Sequence, residues 1–181
     1  MHPSERPELQ PRPNSFTGAD VLAILRENQW LNDAPCIGQS LWSDHAAALL
    51  GPFATDHSGL TAILRLIFAY DAPRIMQISE SHAVLARHGA LDVIRHLALH
   101  LLADAPLTSD RFKLLVNTLK AELQLSSRDL FHPIRLALTG RSGEGELDRV
   151  ILLLDEAATL PFAVPVKSTR TRILEFCAAM G

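Results

Sequence analysis

Eight histidines and twenty carboxylates are the first places to look for chemistry in this chain. His96 and His100 stand four residues apart in "RHLALHLL", so one helical face would carry both and could chelate a metal. Between them lies Leu-Ala-Leu, with no glutamate of the HExxH kind and no third ligand in view. His45, His57, His82 and His88 show no metal-ligand spacing, so no metal site is expected. Glu80, Asp92, Glu122, Asp155 and Glu156 are scattered, and spacing alone assigns no acid–base pair among them. Cys36 and Cys177 form no CxxC and read as two buried free thiols. No GxxxxGK[ST] or GxGxxG loop is present to cradle a phosphate, and no GxSxG elbow to raise a nucleophile. The expected cofactor is none.

One stretch remains: "LFHPIRLALTGRSGEGELDRVILLLDEA", Leu130 to Ala157. It sets Arg135 and the loop Arg141-Ser142-Gly143-Glu144 between two apolar helical segments. A guanidinium offers a planar fork of donors to bases or phosphates. A loop that opens a helix offers backbone N–H groups. A purely architectural reading uses the same residues. Pro133 would start a helix and Thr139-Gly140 would end it. Arg135 would then pair with a carboxylate such as Asp129 or Glu144 and hold the loop.

The elements that must position this corner read as helices almost throughout. "TGADVLAILREN" has Thr17 as a cap and Val21, Leu22 and Leu25 at helical spacing. "NDAPCIGQ" interrupts it, and "SLWSDHAAALL" resumes until Gly51-Pro52. "DHSGLTAILRLIFAY" aligns Leu60, Ile63, Leu64 and Ile67 on one face. Asp71 and Pro73 suit a turn. Two helices then meet near Gly89, the second with Leu91, Ile94, Leu97, Leu101 and Leu102 in an apolar stripe. "TSDRFKLLVNTLKAELQL" opens on Thr108, Ser109 and Asp110. A short helix follows and closes at Gly140, then another from "GELDRVILLLDEA". "TLPFAVPVK" carries too much proline to stay helical, and Ser168 caps the last helix. The fold class expected is all-α, a bundle of about nine or ten short helices. Residues 1–15 read as an extended or mobile arm, 16–105 as an N-terminal helical subdomain and 106–181 as a C-terminal one.

Bulk properties agree. The chain is 48% hydrophobic and only 6% aromatic, which supports a packed helical core rather than a β-sandwich. Its net charge of −3 argues against a non-specific nucleic-acid binder but leaves room for a local basic patch. Arg128, Arg149, Lys167, Arg170 and Arg172 would supply a basic C-terminal surface. "MHPSERPELQPRPNS" lacks the apolar segment of a signal peptide, and no run of about 18 apolar residues would span a membrane. The expected location is cytoplasmic.

From Phe112 to Ala157 the chain resembles the C-terminal anticodon-binding region of bacterial glutamyl-tRNA synthetases. The resemblance is carried by Leu130-Phe131-His132-Pro133-Ile134-Arg135-Leu136-Ala137-Leu138-Thr139-Gly140, with a weaker likeness from Ser81 to Leu123. It implies an all-helical bundle with the anticodon-binding fold of these class I synthetases. It also implies that Arg135 and the loop Arg141, Ser142, Gly143 and Glu144 approach anticodon bases, with Thr139 and Gly140 shaping the turn. Arg172 falls near the family's arginine in its last helix, and it and Thr139 join Arg135 and the loop residues as candidate RNA contacts. Departures are equally plain. The HIGH-type and KMSKS-type ATP-binding motifs have no counterpart, so no activation of glutamate is expected. Glu144-Gly145 replaces the family's Gly-Pro, and "AATLPFAVPVKS" is inserted where the family passes almost directly between helices.

Two functions follow as expectations. The first is a freestanding, non-catalytic relative that binds tRNA or another structured RNA, or assists a synthetase, with no DNA and no membrane as partner. The second is a protein–protein interaction or regulatory module on a scaffold that no longer binds RNA.

Overall fold

The computed structural model describes residues 14–32, 34–103 and 105–181. The expected N-terminal arm lies outside them except for Asn14 and Ser15, and Asn14 Nδ2 donates to the Ala47 carbonyl at 2.8 Å. The described residues form helices and connecting loops without a strand. In chain order these are α1 (Gly18–Glu27), α2 (Ile37–Leu50), a 3₁₀ turn (Gly51–Phe53), α3 (His57–Phe68), α4 (Ala72–Ile75), α5 (Ser79–Leu85), α6 (Ala90–Leu101), α7 (Ser109–Leu123), α8 (Ser127–Thr139), α9 (Glu146–Ala158) and α10 (Thr169–Met180).

Helix starts follow local capping chemistry. Thr17 and Asp20 cap each other's backbone at α1, with Asp20 Oδ2 accepting from Thr17 N at 2.7 Å. Asp56, Thr108, Ser126 and Ser168 accept backbone N–H groups at α3, α7, α8 and α10. Helix α2 begins three residues before the predicted start, because Gln39 Oε1 accepts from Cys36 N at 2.9 Å and organises the first turn. Asp71 and Pro73, read as a turn, open the single turn of α4. Pro133 does not start a helix. It sits inside α8, whose cap is seven residues earlier at Ser126. Both cysteines are free, but Cys36 is exposed and Cys177 only partly buried, which corrects the expectation of two buried thiols.

Two hydrophobic clusters hold the molecule, and each draws on residues from both sides of position 105. The first joins α1, α2 and α3 to one face of α9. Its centre is aromatic: Trp30 stacks on Phe68 at 4.9 Å, and Trp42 and Phe162 meet edge-on at 5.2 Å. Phe162 comes from the proline-rich insertion, so that insertion is part of the core. The second cluster packs α6 against α8 and α10, with Ile94, Leu97, Ile134, Leu138, Ile173 and Phe176 buried. Helix α9 bridges the two, placing Val150 and Leu154 in one and Ile151 in the other. The α8–α9 corner is thereby anchored on both sides, while Arg141, Glu144 and Gly145 of its loop are exposed.

Candidate nucleic-acid interface

The corner is shaped by backbone first. Helix α8 ends at Gly140, which adopts φ 85°, a left-handed value that a side chain would strain. A Cβ there would also come within 3.0 Å of Ile75 Cδ1. Thr139, one residue earlier, is buried and knits the turn: its hydroxyl donates to the Arg135 carbonyl at 2.8 Å and accepts from Arg141 N at 3.3 Å. The two residues expected to shape the turn do so.

Arg135 faces inward. Its Nε and Nη2 donate to the two carboxylate oxygens of Asp148 at 2.9 Å each, and Nη1 donates to the Gly143 carbonyl at 2.9 Å. The guanidinium lies 4.8 Å from the centre of the Phe131 ring, and only 11% of the side chain is exposed. This bidentate fork pins the loop to α9 and leaves Arg135 few donors for a ligand. Asp148 is the partner, rather than Asp129 or Glu144. Asp129 Oδ2 instead accepts from the Ser126 hydroxyl at 2.9 Å, at the start of α8. Ser142 is buried and hydrogen-bonds to Glu80 of α5. Arg141 and Glu144 are exposed, and Gly143 is intermediate.

Arg172 lies elsewhere and is 0% exposed. Its Nη1 donates to Leu66 O at 2.9 Å and Leu138 O at 3.0 Å, its Nη2 to Ile67 O at 2.6 Å and its Nε to Lys167 O at 2.9 Å. Leu66, Ile67 and Leu138 lie at the C-terminal ends of α3 and α8, where helix dipoles are negative. The Tyr70 ring covers the guanidinium at 4.5 Å. Burial pulls the Arg172 pKa down to about 10, so it stays charged at neutral pH. The same burial pushes the Tyr70 phenol well above its ordinary value, and its hydroxyl donates to Ala137 O. A side chain with no accessible surface offers nothing to an RNA, so the expected contact at Arg172 is corrected to a structural one. The expected basic C-terminal surface loses Lys167 as well, which pairs with Glu175 at 2.8 Å.

What the corner does display is a groove of about 410 Å³ between α7, α8 and α9. Phe131 and Phe53 form apolar walls, Phe53 being 44% exposed. Ser109, Asn117, Lys113 and Arg149 add polar and cationic groups, and Gly145 brings the end of the loop to the rim. Neither Lys113 nor Arg149 forms an ion pair among the described residues. Sequence reasoning had placed Arg149 in a basic surface but missed Lys113, Asn117 and the two phenylalanines. Lys113 and Asn117 stand four residues apart on α7, which is the spacing signal available for that wall of the groove.

The histidine pair gains a partner. His96 Nδ1 lies 3.1 Å and His100 Nε2 3.8 Å from Glu122 Oε2 on α7. Among the described residues no cluster of three such side chains is arranged to hold a metal. Likewise no described helix is long and apolar enough to cross a membrane.

The profile of the anticodon-binding domain family matches residues 23–160, well over half of the chain. The chain belongs to that family. The match reaches far upstream of the Phe112–Ala157 stretch that carries the sequence resemblance, taking in α2 to α6 in full. Among curated proteins and solved structures nothing matches the chain. An all-helical bundle with an anticodon-binding relationship is thus established, without a catalytic domain among the matched residues.

Proposed function

We propose that this chain is a tRNA-binding module, non-catalytic in itself, that receives unstacked bases in the groove between α7, α8 and α9. The observation that carries the reading is the coincidence of family membership with that groove. Unstacked bases are recognised by aromatic faces, planar donors and amide groups acting together. Phe131 and Phe53 supply the faces, Asn117 the amide, and Lys113 and Arg149 the charge for flanking phosphates. Arg141 adds an exposed cation on the adjoining loop. Arg135, Thr139, Gly140, Ser142 and Gly143 serve by holding the loop in shape, and Glu144 restricts the ligands that approach. A folded RNA rather than duplex DNA is the ligand, since stacked bases could not enter the groove. The place of action is the cytoplasm, where it would act on tRNA directly or assist a synthetase.

Photo-crosslinking of 4-thiouridine-containing tRNA to the intact chain tests this placement. Crosslinked peptides from 109–117, 131 and 145–152 are expected; crosslinks confined to α2 or α10 would overturn it.

A second reading rests on Ile37 and Leu41, one turn apart on α2 and 82% and 61% exposed. Such a patch suits a protein partner. A recovered partner or dimer that Ile37→Ser/Leu41→Ser abolishes, with no tRNA binding, would favour it.

A further inference from the structure

Helix α8 carries a second cationic feature that the groove does not use. Arg128, His132 and Arg135 recur at helical spacing, so they share one side of α8. Helix α5 packs against that helix, and the turn after it lays Arg87 alongside. Arg87 Nη1 lies 2.9 Å from His132 Nδ1. Since a guanidinium only donates, His132 Nδ1 accepts, and its proton resides on Nε2, a further donor at the site. Packing fixes this arrangement. Gly89 has φ 79°, and a Cβ there would meet Leu125 Cδ1 at 2.9 Å, so the α5–α6 turn seats tightly on the α7–α8 turn.

The cluster has little compensation. Neither Arg87 nor Arg128 forms an ion pair among the described residues. Asp129 is engaged at the α8 cap and Glu80 with Ser142. Arg87 faces His132 from the α5–α6 turn, Arg128 and Arg135 from α8, and Glu144 from the loop. Burial and the three arginines hold the His132 pKa below its ordinary value, with Glu144 a smaller opposing influence. Arg87 and Arg128, gathered without an ion-paired carboxylate of their own, leave a field that an incoming anion would relieve.

We infer that Arg87, Arg128 and His132 form a phosphodiester-binding patch that receives the RNA backbone beside the base groove. Guanidinium forks match phosphate oxygens, and neutral imidazole adds an N–H donor. Continuity favours RNA over an acidic protein: Phe131 walls the groove and His132 is the next residue. A strand leaving the groove therefore meets the patch at once. The inference rests on the tRNA-binding reading.

The test is anisotropy of labelled bulk tRNA across a salt series, with the intact chain and Arg87→Gln/Arg128→Gln. Glutamine keeps a donor toward His132, and a thermal melt confirms that the variant folds. Loss of two phosphate contacts should weaken binding roughly tenfold or more and reduce the log K against log salt slope by roughly 1.5. If the intact chain binds and the variant matches it in affinity and slope, the patch is refuted while the groove reading stands. If the intact chain does not bind tRNA, both fall. If the two arginines govern binding of poly-glutamate and not of tRNA, the patch is a protein-docking site and the inference is overturned.

Discussion

Arg135 and Arg172 invite comparison, because both were candidate RNA contacts and neither is displayed. Arg172 is fully enclosed, and its charge is met by carbonyls at two helix ends and a Tyr70 ring. Arg135 is at the edge of the corner, and its charge is met by one carboxylate, Asp148. The first ties α3, α8 and α10 together; the second ties one loop to one helix. Residue type and expected role were alike, while the groups around each arginine gave them different tasks. The cations left for a ligand at this corner are ones without an ion pair among the described residues: Lys113 and Arg149 in the groove, Arg141 on the loop, and Arg87 and Arg128 on the patch.

Removing each arginine's environment should separate the two regions. Arg172→Met is expected to have the largest effect. It strips donors from four carbonyls, and buried acceptors left unpaired cost roughly 1–3 kcal/mol each. Chemical denaturation should show a loss of at least about 3 kcal/mol, or failure to fold. A change below about 1 kcal/mol would mean that α10 docks without the clasp.

Asp148→Asn should act less on stability and more on binding. The pair is partly exposed, so a loss of roughly 1–2 kcal/mol is expected. Because the Arg135–Asp148 fork holds the loop that rims the groove, loosening it should weaken tRNA binding several-fold. Unchanged or tighter binding by a folded variant would show that the pinned loop is not what RNA requires.

The smallest effect concerns pH. His132 is held below its ordinary pKa of about 6.5 by burial, Arg87, Arg128 and Arg135, with Glu144 opposing. A base depressed in the folded state contributes stability that is present above the unfolded pKa. That contribution is lost as pH falls from about 6.5 through the folded value. Denaturation midpoints of the intact chain should therefore decline over that interval more than those of His132→Asn. Parallel pH curves for the two proteins would remove His132 from the account.

Much of the fold was legible because it is set locally. Thr17, Thr108 and Ser168 announce helix starts through hydroxyls within one turn, and Gly140 announces an end through its left-handed backbone. Pro133 misled because a proline more often opens a helix, and burial among α8's neighbours holds it in the interior here. The site was legible only in part. Thr139 and Gly140 act within their own turn, so spacing revealed them. Asp148 meets Arg135 only once the corner folds, Lys113 reaches the groove from α7, and Phe53 from the 3₁₀ turn after α2. No periodicity links such residues. The fate of Arg172 was equally hidden, since the carbonyls around Leu66 lie more than a hundred residues away.

Cations without an ion pair around the groove bind tRNA in this account, while Arg135 and Arg172 are architectural. Titrating labelled bulk tRNA at low salt with the intact chain and with Lys113→Ala/Arg149→Ala tests it most directly. The account predicts saturable binding by the intact chain and roughly tenfold weaker binding by the equally stable variant. An intact chain that gives no signal at roughly 100 μM, or a variant that binds as tightly, would contradict it.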